Sequence, residues 1–340
     1  MKFKEISKAE WLRKVEKDLK GKPVSSLDWE PAPGFVVSPF AHPDDRTETY
    51  EPLLPHRKTN VWTPGVVLDA GDASSANRAA LALLNNGAGA LRFVLSEPLG
   101  RTDWSILLKD IRADWIELHV DASRLFQPFD ASPLADHLRA VGQLPSDIRG
   151  SFYANSITGR NDFPAIVATY LPAETFHDTD AQILEEMQQL REGLKRLYES
   201  SSDRPVCVGL RPSDHYLLSI AKFRAVRTMW QQLGGAAEQL ILHAYVGPFT
   251  PGSDEHTNKI RATTRCMAAV VSGVDTVFVY PSDATSPTDG SDFNRRISLN
   301  IHHLLQMESY LDRAVDPAAG SYYLEGLTER LLENTGSSVV

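Results

Sequence analysis

The sequence predicts an α/β protein: a (β/α)8 barrel preceded by an N-terminal helix and an extended arm. Two observations carry this. From Val66 onward eight short apolar runs recur, at Val66–Asp69, Leu91–Leu95, Trp115–Val120, Gly150–Ala154, Ala165–Tyr170, Val206–Leu210, Leu240–Val246 and Thr276–Tyr280. Most are separated by segments of helical periodicity, at Ala73–Leu84, Asp103–Ile111, Ser132–Val141, Asp180–Tyr198, Asp214–Leu233, Asn258–Val271 and Asp292–Tyr310. Such alternation implies parallel strands with helices outside, because a parallel crossover consumes a dozen or more residues. Eight units in about 250 residues is the count of a closed barrel. An open doubly wound sheet is the rival. It usually has fewer units and often a Gly-rich phosphate turn, whereas Asn86-Gly87-Ala88-Gly89 precedes a strand instead of following one. One link, Asn155–Pro164, is too short for a full helix.

The N-terminal segment is read separately. Phe3–Leu19 is an amphipathic helix with Ser7 as its cap, a stripe of Trp11, Leu12, Val15 and Leu19, and Gly21 as its stop. Its stripe packs on its own domain or docks on another subunit. Lys22–Pro64 is rich in Pro, Asp and aromatic residues, with little periodicity, and reads as an arm. The division is therefore residues 1–64, a helix and Pro-rich arm for subunit docking, and residues 65–335, the barrel.

Composition narrows the function classes. The 340 residues carry a net charge of −9 and no long basic tract, which argues against a nucleic-acid partner. No apolar run approaches the roughly 20 residues of a membrane span. Cys207 and Cys266 are the only cysteines, which suits a reducing cytoplasm and excludes a disulfide scaffold or Cys-rich zinc site. The start has no apolar signal-peptide core.

Val206–Trp230 is the most apolar βα unit. Ser213 or Asp214 can cap its helix. Apolar residues cover most of the wheel; Arg224 and Arg227 share the polar arc, and Lys222 falls on the apolar face. A helix apolar nearly all round is covered on more than one side, and Lys222 is expected to be a paired charge.

In a barrel the site lies at the C-terminal ends of the strands. The residues there are Asp69 and Asp72; Ser96 and Glu97; His119 and Asp121; Asn155 and Ser156; Tyr170, Glu174 and His177; Arg211, Asp214 and His215; His243 and Tyr245; Tyr280 and Asp283. Each has an ordinary reading as loop polarity or helix cap. His302 and His303 are adjacent on a helix and so point about 100° apart, a poor metal pair. Glu255-His256 lacks the HExxH spacing, so no metal site is expected. There is no GxSxG elbow, and Cys207 lies within a strand, so nucleophilic catalysis has no support.

Three stretches carry a resemblance. Lys222-Phe223-Arg224-Ala225-Val226-Arg227-Thr228-Met229-Trp230 resembles the K-(L/F)-R-A-x-R-x-(L/M)-W helix of the methylmalonyl-CoA mutase family. Asn258–Thr264 with Met267-Ala268-Ala269-Val270 resembles the family's N-x-x-R-x-T…MAA helix. Asp292-Phe293, Arg296-Ile297 and Asn300, followed by Val315–Glu325 and Leu327-Thr328, resembles its DF-x-x-RI-x-x-N…VDP-x-x-GSYYVE-x-LT block. The blocks occur in family order, and the diffuse match upstream is most like the small subunit. The resemblance implies a TIM barrel threading a CoA chain along its axis. Catalytic members interconvert methylmalonyl-CoA and succinyl-CoA, a step of propionate metabolism, by a radical drawn from adenosylcobalamin in a separate domain with a D-x-H-x-x-G motif.

The site motifs of that family are replaced here. No D-x-H-x-x-G occurs, so a C-terminal cobalamin-binding domain is not expected in this chain. G-T-(I/L)-Q-N-D after the fourth strand meets Gly150–Ser156; T-H-(C/S)-Q-T-S-G-W at the seventh meets Leu242–Phe249; L-H-T-N at the eighth meets Phe278-Val279-Tyr280-Pro281. The N-terminal Y-x-x-T-R-G meets Leu54–Asn60. The Gly-Tyr-His after the fifth strand falls within Leu171–His177: one placement keeps the His as His177, the other loses both side chains. His177 is thus the one catalytic candidate, and Asn155, Arg211, His243 and Tyr280 are pocket candidates. The resemblance implies a non-catalytic, cytoplasmic barrel. It would bind no cofactor itself and pair as a heterodimer with a large, adenosylcobalamin-dependent subunit, with at most weak binding of a CoA ester. Two alternatives are an active acyl-CoA mutase chain using a separate cobalamin subunit, and a barrel binding an unrelated small ligand through Arg211, His243 and Tyr280.

Overall fold

The computed structural model describes residues 6–45, 53–172, 180–201, 204–286 and 288–336. The strands of the barrel are β3 (Thr63–Asp69), β4 (Ala90–Val94), β5 (Glu117–Asp121), β7 (Arg149–Tyr153), β9 (Ile166–Val167), β10 (Tyr170–Leu171), β11 (Val206–Leu210), β12 (Leu240–Val246) and β13 (Thr276–Val279). They form one parallel sheet in the order β10-β11-β12-β13-β3-β4-β5-β7-β9. The predicted (β/α)8 architecture is therefore present, with one difference. The fifth apolar run is two short strands, β9 paired to β7 and β10 paired to β11. The run changes partner at Ala168-Thr169, where it leaves one neighbour before the Cys207 amide donates to the Thr169 carbonyl.

The outer helices are α2 (Ala73–Asn85), α3 (Arg101–Leu107), α4 (Ser132–Ala140), α5 (Ile183–Ser201), α6 (Tyr216–Gln232), α7 (Glu255–Val271) and α8 (Asp292–His303). The short link after β7 holds no α-helix. Its β8 (Ile157–Thr158) pairs with β6 (Phe129–Asp130), and one 3-10 turn follows at Arg160–Asp162. α8 is shorter than its apolar period suggests, because the chain widens into a π-turn at Leu304–Glu308.

Strand β7 depends on one glycine. Gly150 has φ +131°, and a Cβ there would lie 2.0 Å from the Leu118 carbonyl oxygen on β5. Neither backbone can yield without breaking the β5–β7 ladder. Gly150→Ala is expected to lower stability by about 3 kcal/mol or more, read as lost soluble yield and an earlier thermal melt. A variant that melts with the native chain would contradict this.

The N-terminal helix α1 (Lys8–Asp18) is shorter than the predicted Phe3–Leu19 span, but its cap is Ser7 as predicted, whose hydroxyl and the Glu10 carboxylate form a capping box. It rests on the arm: Trp11 packs edge-on against Phe40 at 4.6 Å, and the Lys8 amide donates to Asp44. The arm is more ordered than its weak periodicity suggests. Trp29–Ala32 (β1) and Phe35–Val37 (β2) form a hairpin that sends Ala32, Phe35 and Val37 into the core beside α5 and α6. Farther on, the Asn60 amide donates to the Val270 and Leu311 carbonyls, and the Trp62 indole donates to Nδ1 of His302.

α6 is covered all round, and two readings of it change. The cap is His215, whose Nδ1 accepts from the Leu218 amide at 3.3 Å. Ser213 is engaged with Ser219, and Asp214 accepts from Arg265. The polar arc is buried as well. Arg224 pairs with Asp316 and lies 3.9 Å from Glu325, while Arg227 pairs with Asp275 at 3.2 Å. Asp316 precedes and Glu325 belongs to α9 (Tyr322–Asn334), a helix that periodicity does not separate and that packs along α6. Lys222 is paired as expected: its ammonium donates to both Glu186 oxygens, at 2.8 and 3.0 Å.

Candidate functional site

Alternation along parallel strands sends every second side chain to the barrel axis. Register then fixes which meet. Arg92, His119 and Ser151 are neighbours in one layer, and Val94, Asp121 and Tyr153 stand in the next toward the C-terminal mouth.

A cross-barrel network fills the middle. The Arg92 guanidinium donates to Asp121 at 2.7 Å, to the Tyr170 hydroxyl at 3.1 Å and to the Tyr245 hydroxyl. The two tyrosine hydroxyls are 2.6 Å apart. Tyr245 stacks on Phe278 with ring centres 5.0 Å apart and planes within 6°. Arg92 also lies 4.8 Å above the Tyr245 ring. Burial would favour loss of the Arg92 proton, but the phenols and Asp121 around it raise its pKa well above the usual value, so it stays charged. Burial raises the Asp121 carboxyl, yet Arg92 and Ser123 outweigh it and bring it below the usual carboxylate range. The ion pair ties the neighbouring strands β4 and β5, and the Tyr170 and Tyr245 hydroxyls carry the network across the axis to β10 and β12.

What remains open at the mouth is a recess of about 120 Å³, lined by Arg92, Asp121, Arg124, Tyr153 and Tyr280 among others. At about 30 Å³ per molecule that is room for about four waters.

The predicted pocket residues do not converge. Tyr280 lines the mouth recess. His243 lies on the other side of the Arg92 layer, edge-on to His119 at 4.9 Å, and lines a separate recess. Asn155 is exposed on the loop after β7, and Arg211 follows β11 with its carbonyl accepting from Lys222. Neither Asn155 nor Arg211 lines either recess. His177 lies outside the described residues. Asp69 and Asp72 carry turn and cap bonds to Gly71, Ser74 and Ser75. Arg92 was hidden from the sequence reading by its place inside the run Leu91–Leu95; a lone arginine at an inward-facing position of a buried strand was the available signal.

Two described features bear on cofactor binding. No described histidine lines the mouth recess, and no group of three or more His, Cys, Asp or Glu side chains among the described residues could hold a metal ion. These residues do not fit a cobalt-ligating site. No described helix is long and apolar enough to cross a membrane.

Comparison with known proteins places the chain. The family model for methylmalonyl-CoA mutase matches residues 210–339. Over 97% of its length the chain is 29% identical to the methylmalonyl-CoA mutase small subunit of Porphyromonas gingivalis, and 27% identical to that of Streptomyces virginiae. The matches name one family, that of methylmalonyl-CoA mutase. Within it, the near-full-length likeness is to small subunits. A probable methylmalonyl-CoA mutase small subunit of Mycobacterium bovis matches 40% of the chain at 35% identity, covering 24% of that protein. The chain spans 62% of the length of the P. gingivalis and S. virginiae relatives. The family helix 222–230 is α6, whose charged residues are all consumed by structural ion pairs.

Proposed function

We propose that this chain is the barrel of a non-catalytic small subunit that pairs with a large, adenosylcobalamin-dependent subunit interconverting methylmalonyl-CoA and succinyl-CoA. One observation carries the reading: Arg92, Tyr170 and Tyr245 cross the axis along which the resemblance would thread the CoA chain. A bonded crossing of that kind cannot admit an acyl-CoA without breaking the buried hydrogen bonds among Arg92 and the two tyrosines, which is costly. In this reading the cofactor belongs to the partner, as the family resemblance implies. The same crossing disfavours an active mutase chain that borrows a cobalamin subunit.

Co-expression with a cognate large subunit is expected to yield a one-to-one complex by light scattering after gel filtration. The isolated chain, given adenosylcobalamin and methylmalonyl-CoA, is expected to form no succinyl-CoA. Persistence of the chain as a monomer or homodimer at micromolar concentration beside its partner would sink the pairing; turnover by the chain alone would sink the non-catalytic role.

A further inference from the structure

Beyond the Arg92 layer, toward the N-terminal ends of the strands, lies a second recess of about 240 Å³. Its rim residues Glu117, Arg149, Ala165 and Ile241 keep partial or full exposure, while His119, Ser151, Cys207 and His243 at its inner end are buried. The Arg92 layer separates it from the mouth recess, and no lining residue is common to the two.

Its wall is rich in hydrogen-bond acceptors. The Glu117 carboxylate accepts from the hydroxyls of Thr63 at 2.8 Å and Thr276 at 2.7 Å, and sits 3.4 Å from Nε2 of His119. Burial would raise its pKa, but His119 and the two threonines bring it to about 2, so it is ionised at any working pH. His243 is 2% exposed, and its Nδ1 is buried with no hydrogen-bond partner among the described residues. Burial and the neighbouring His119 push its pKa far down, so the ring is neutral and keeps a lone pair. Of the other charges nearby, Asp275 is paired with two arginines, Arg57 and Arg227, and Arg149, the register neighbour of Glu117 on β7, is an exposed rim residue. Ala165, Val167 and Ile241 supply an apolar side.

A buried imidazole nitrogen without a partner costs free energy unless something in the recess satisfies it. An ionised carboxylate beside an apolar wall selects among the candidates: it repels an anion and favours a cationic donor. We propose that this recess binds a small primary ammonium ion, its N–H groups donating to Glu117 and to the His243 ring, with a short alkyl tail along Val167 and Ile241.

Saturation-transfer NMR on the intact chain tests this with propylammonium chloride, propan-1-ol and sodium propionate at matched ionic strength. Propylammonium is expected to give a saturable signal, propan-1-ol one weaker by about tenfold or more, and propionate none. Glu117→Gln keeps the shape and removes the charge; it should weaken propylammonium by about tenfold and abolish its advantage over propan-1-ol. Val167→Phe keeps the charge and fills the space, and should silence both probes, with circular dichroism confirming that each variant is folded. Absence of a saturable propylammonium signal overturns the proposal, as does propionate binding equally well or a Glu117→Gln chain that binds like the native one. Should either variant fail to fold, the three-probe comparison on the native chain still decides.

Discussion

Replacing Lys222 with Met is expected to destabilise the barrel by about 3–5 kcal/mol. Lys222 and Glu186 are each 1% exposed, and the ammonium donates to both carboxylate oxygens and to the Arg211 carbonyl. Methionine fills much the same volume, so little of the loss comes from packing. The cost arises because the Glu186 carboxylate stays buried on α5 without its ammonium, and the Arg211 carbonyl loses a donor. Urea denaturation followed by circular dichroism reads the change as a lower midpoint at similar slope. The double variant Lys222→Met with Glu186→Leu should recover most of the stability, because no uncompensated charge remains and hydrophobic replacement of a buried pair is often neutral. A single variant within about 0.5 kcal/mol of the native chain, the ordinary range for a surface substitution, would show that the pair contributes nothing.

That pair also shows where sequence reasoning succeeds and stops. An amphipathic wheel displays one lysine on an apolar face, and the desolvation cost of a lone charge is enough to predict a partner. It does not display which partner, since Glu186 lies 36 positions away on another helix. The wheel misleads at Arg224 and Arg227, which look like a solvent arc and are 3% and 2% exposed. Their partners Asp316, Glu325 and Asp275 come from loops and from α9, so charge pairing and not polarity explains their position. α9 itself is hard to find by periodicity, since Gly326 sits in its interior, where glycine costs about 1 kcal/mol relative to alanine.

The barrel was legible because repeat count and strand–helix alternation are properties of the whole chain, insensitive to any one residue. The split of the fifth strand was not, because it depends on which neighbours Ala165–Tyr170 can pair with in three dimensions. The axial network fell between these cases. His119, Asp121, Tyr170 and Tyr245 were visible as polar residues near strand ends, but their meeting with Arg92 depends on register across β4, β5, β10 and β12. Family motifs marked the scaffold well because they report packing. The residues that block the axis belong to none of the quoted scaffold motifs.

Tyr245→Ala is expected to separate structure from catalysis at that axis. Tyr245 is 2% exposed, stacked on Phe278, and bonded to Tyr170 and Arg92. Truncating it leaves a cavity between the two recesses and removes one acceptor from a buried guanidinium, at a cost of about 3–5 kcal/mol. Tyr245→Phe, which removes only the hydroxyl, should cost about 1–3 kcal/mol. Arg92 retains Asp121 in both variants, so the fold is expected to survive at low temperature. If the small-subunit reading is right, a complex assembled from Tyr245→Ala and a native large subunit should melt earlier yet turn over methylmalonyl-CoA at the native rate per assembled complex. The opened chain alone should still form no succinyl-CoA, because enlarging a cavity supplies neither radical chemistry nor the family's missing site residues. A fall in kcat/KM at unchanged complex content would point the other way: the crossing would then be part of the reaction path, with Arg92 and the two tyrosines binding substrate where they are read here as closing the axis.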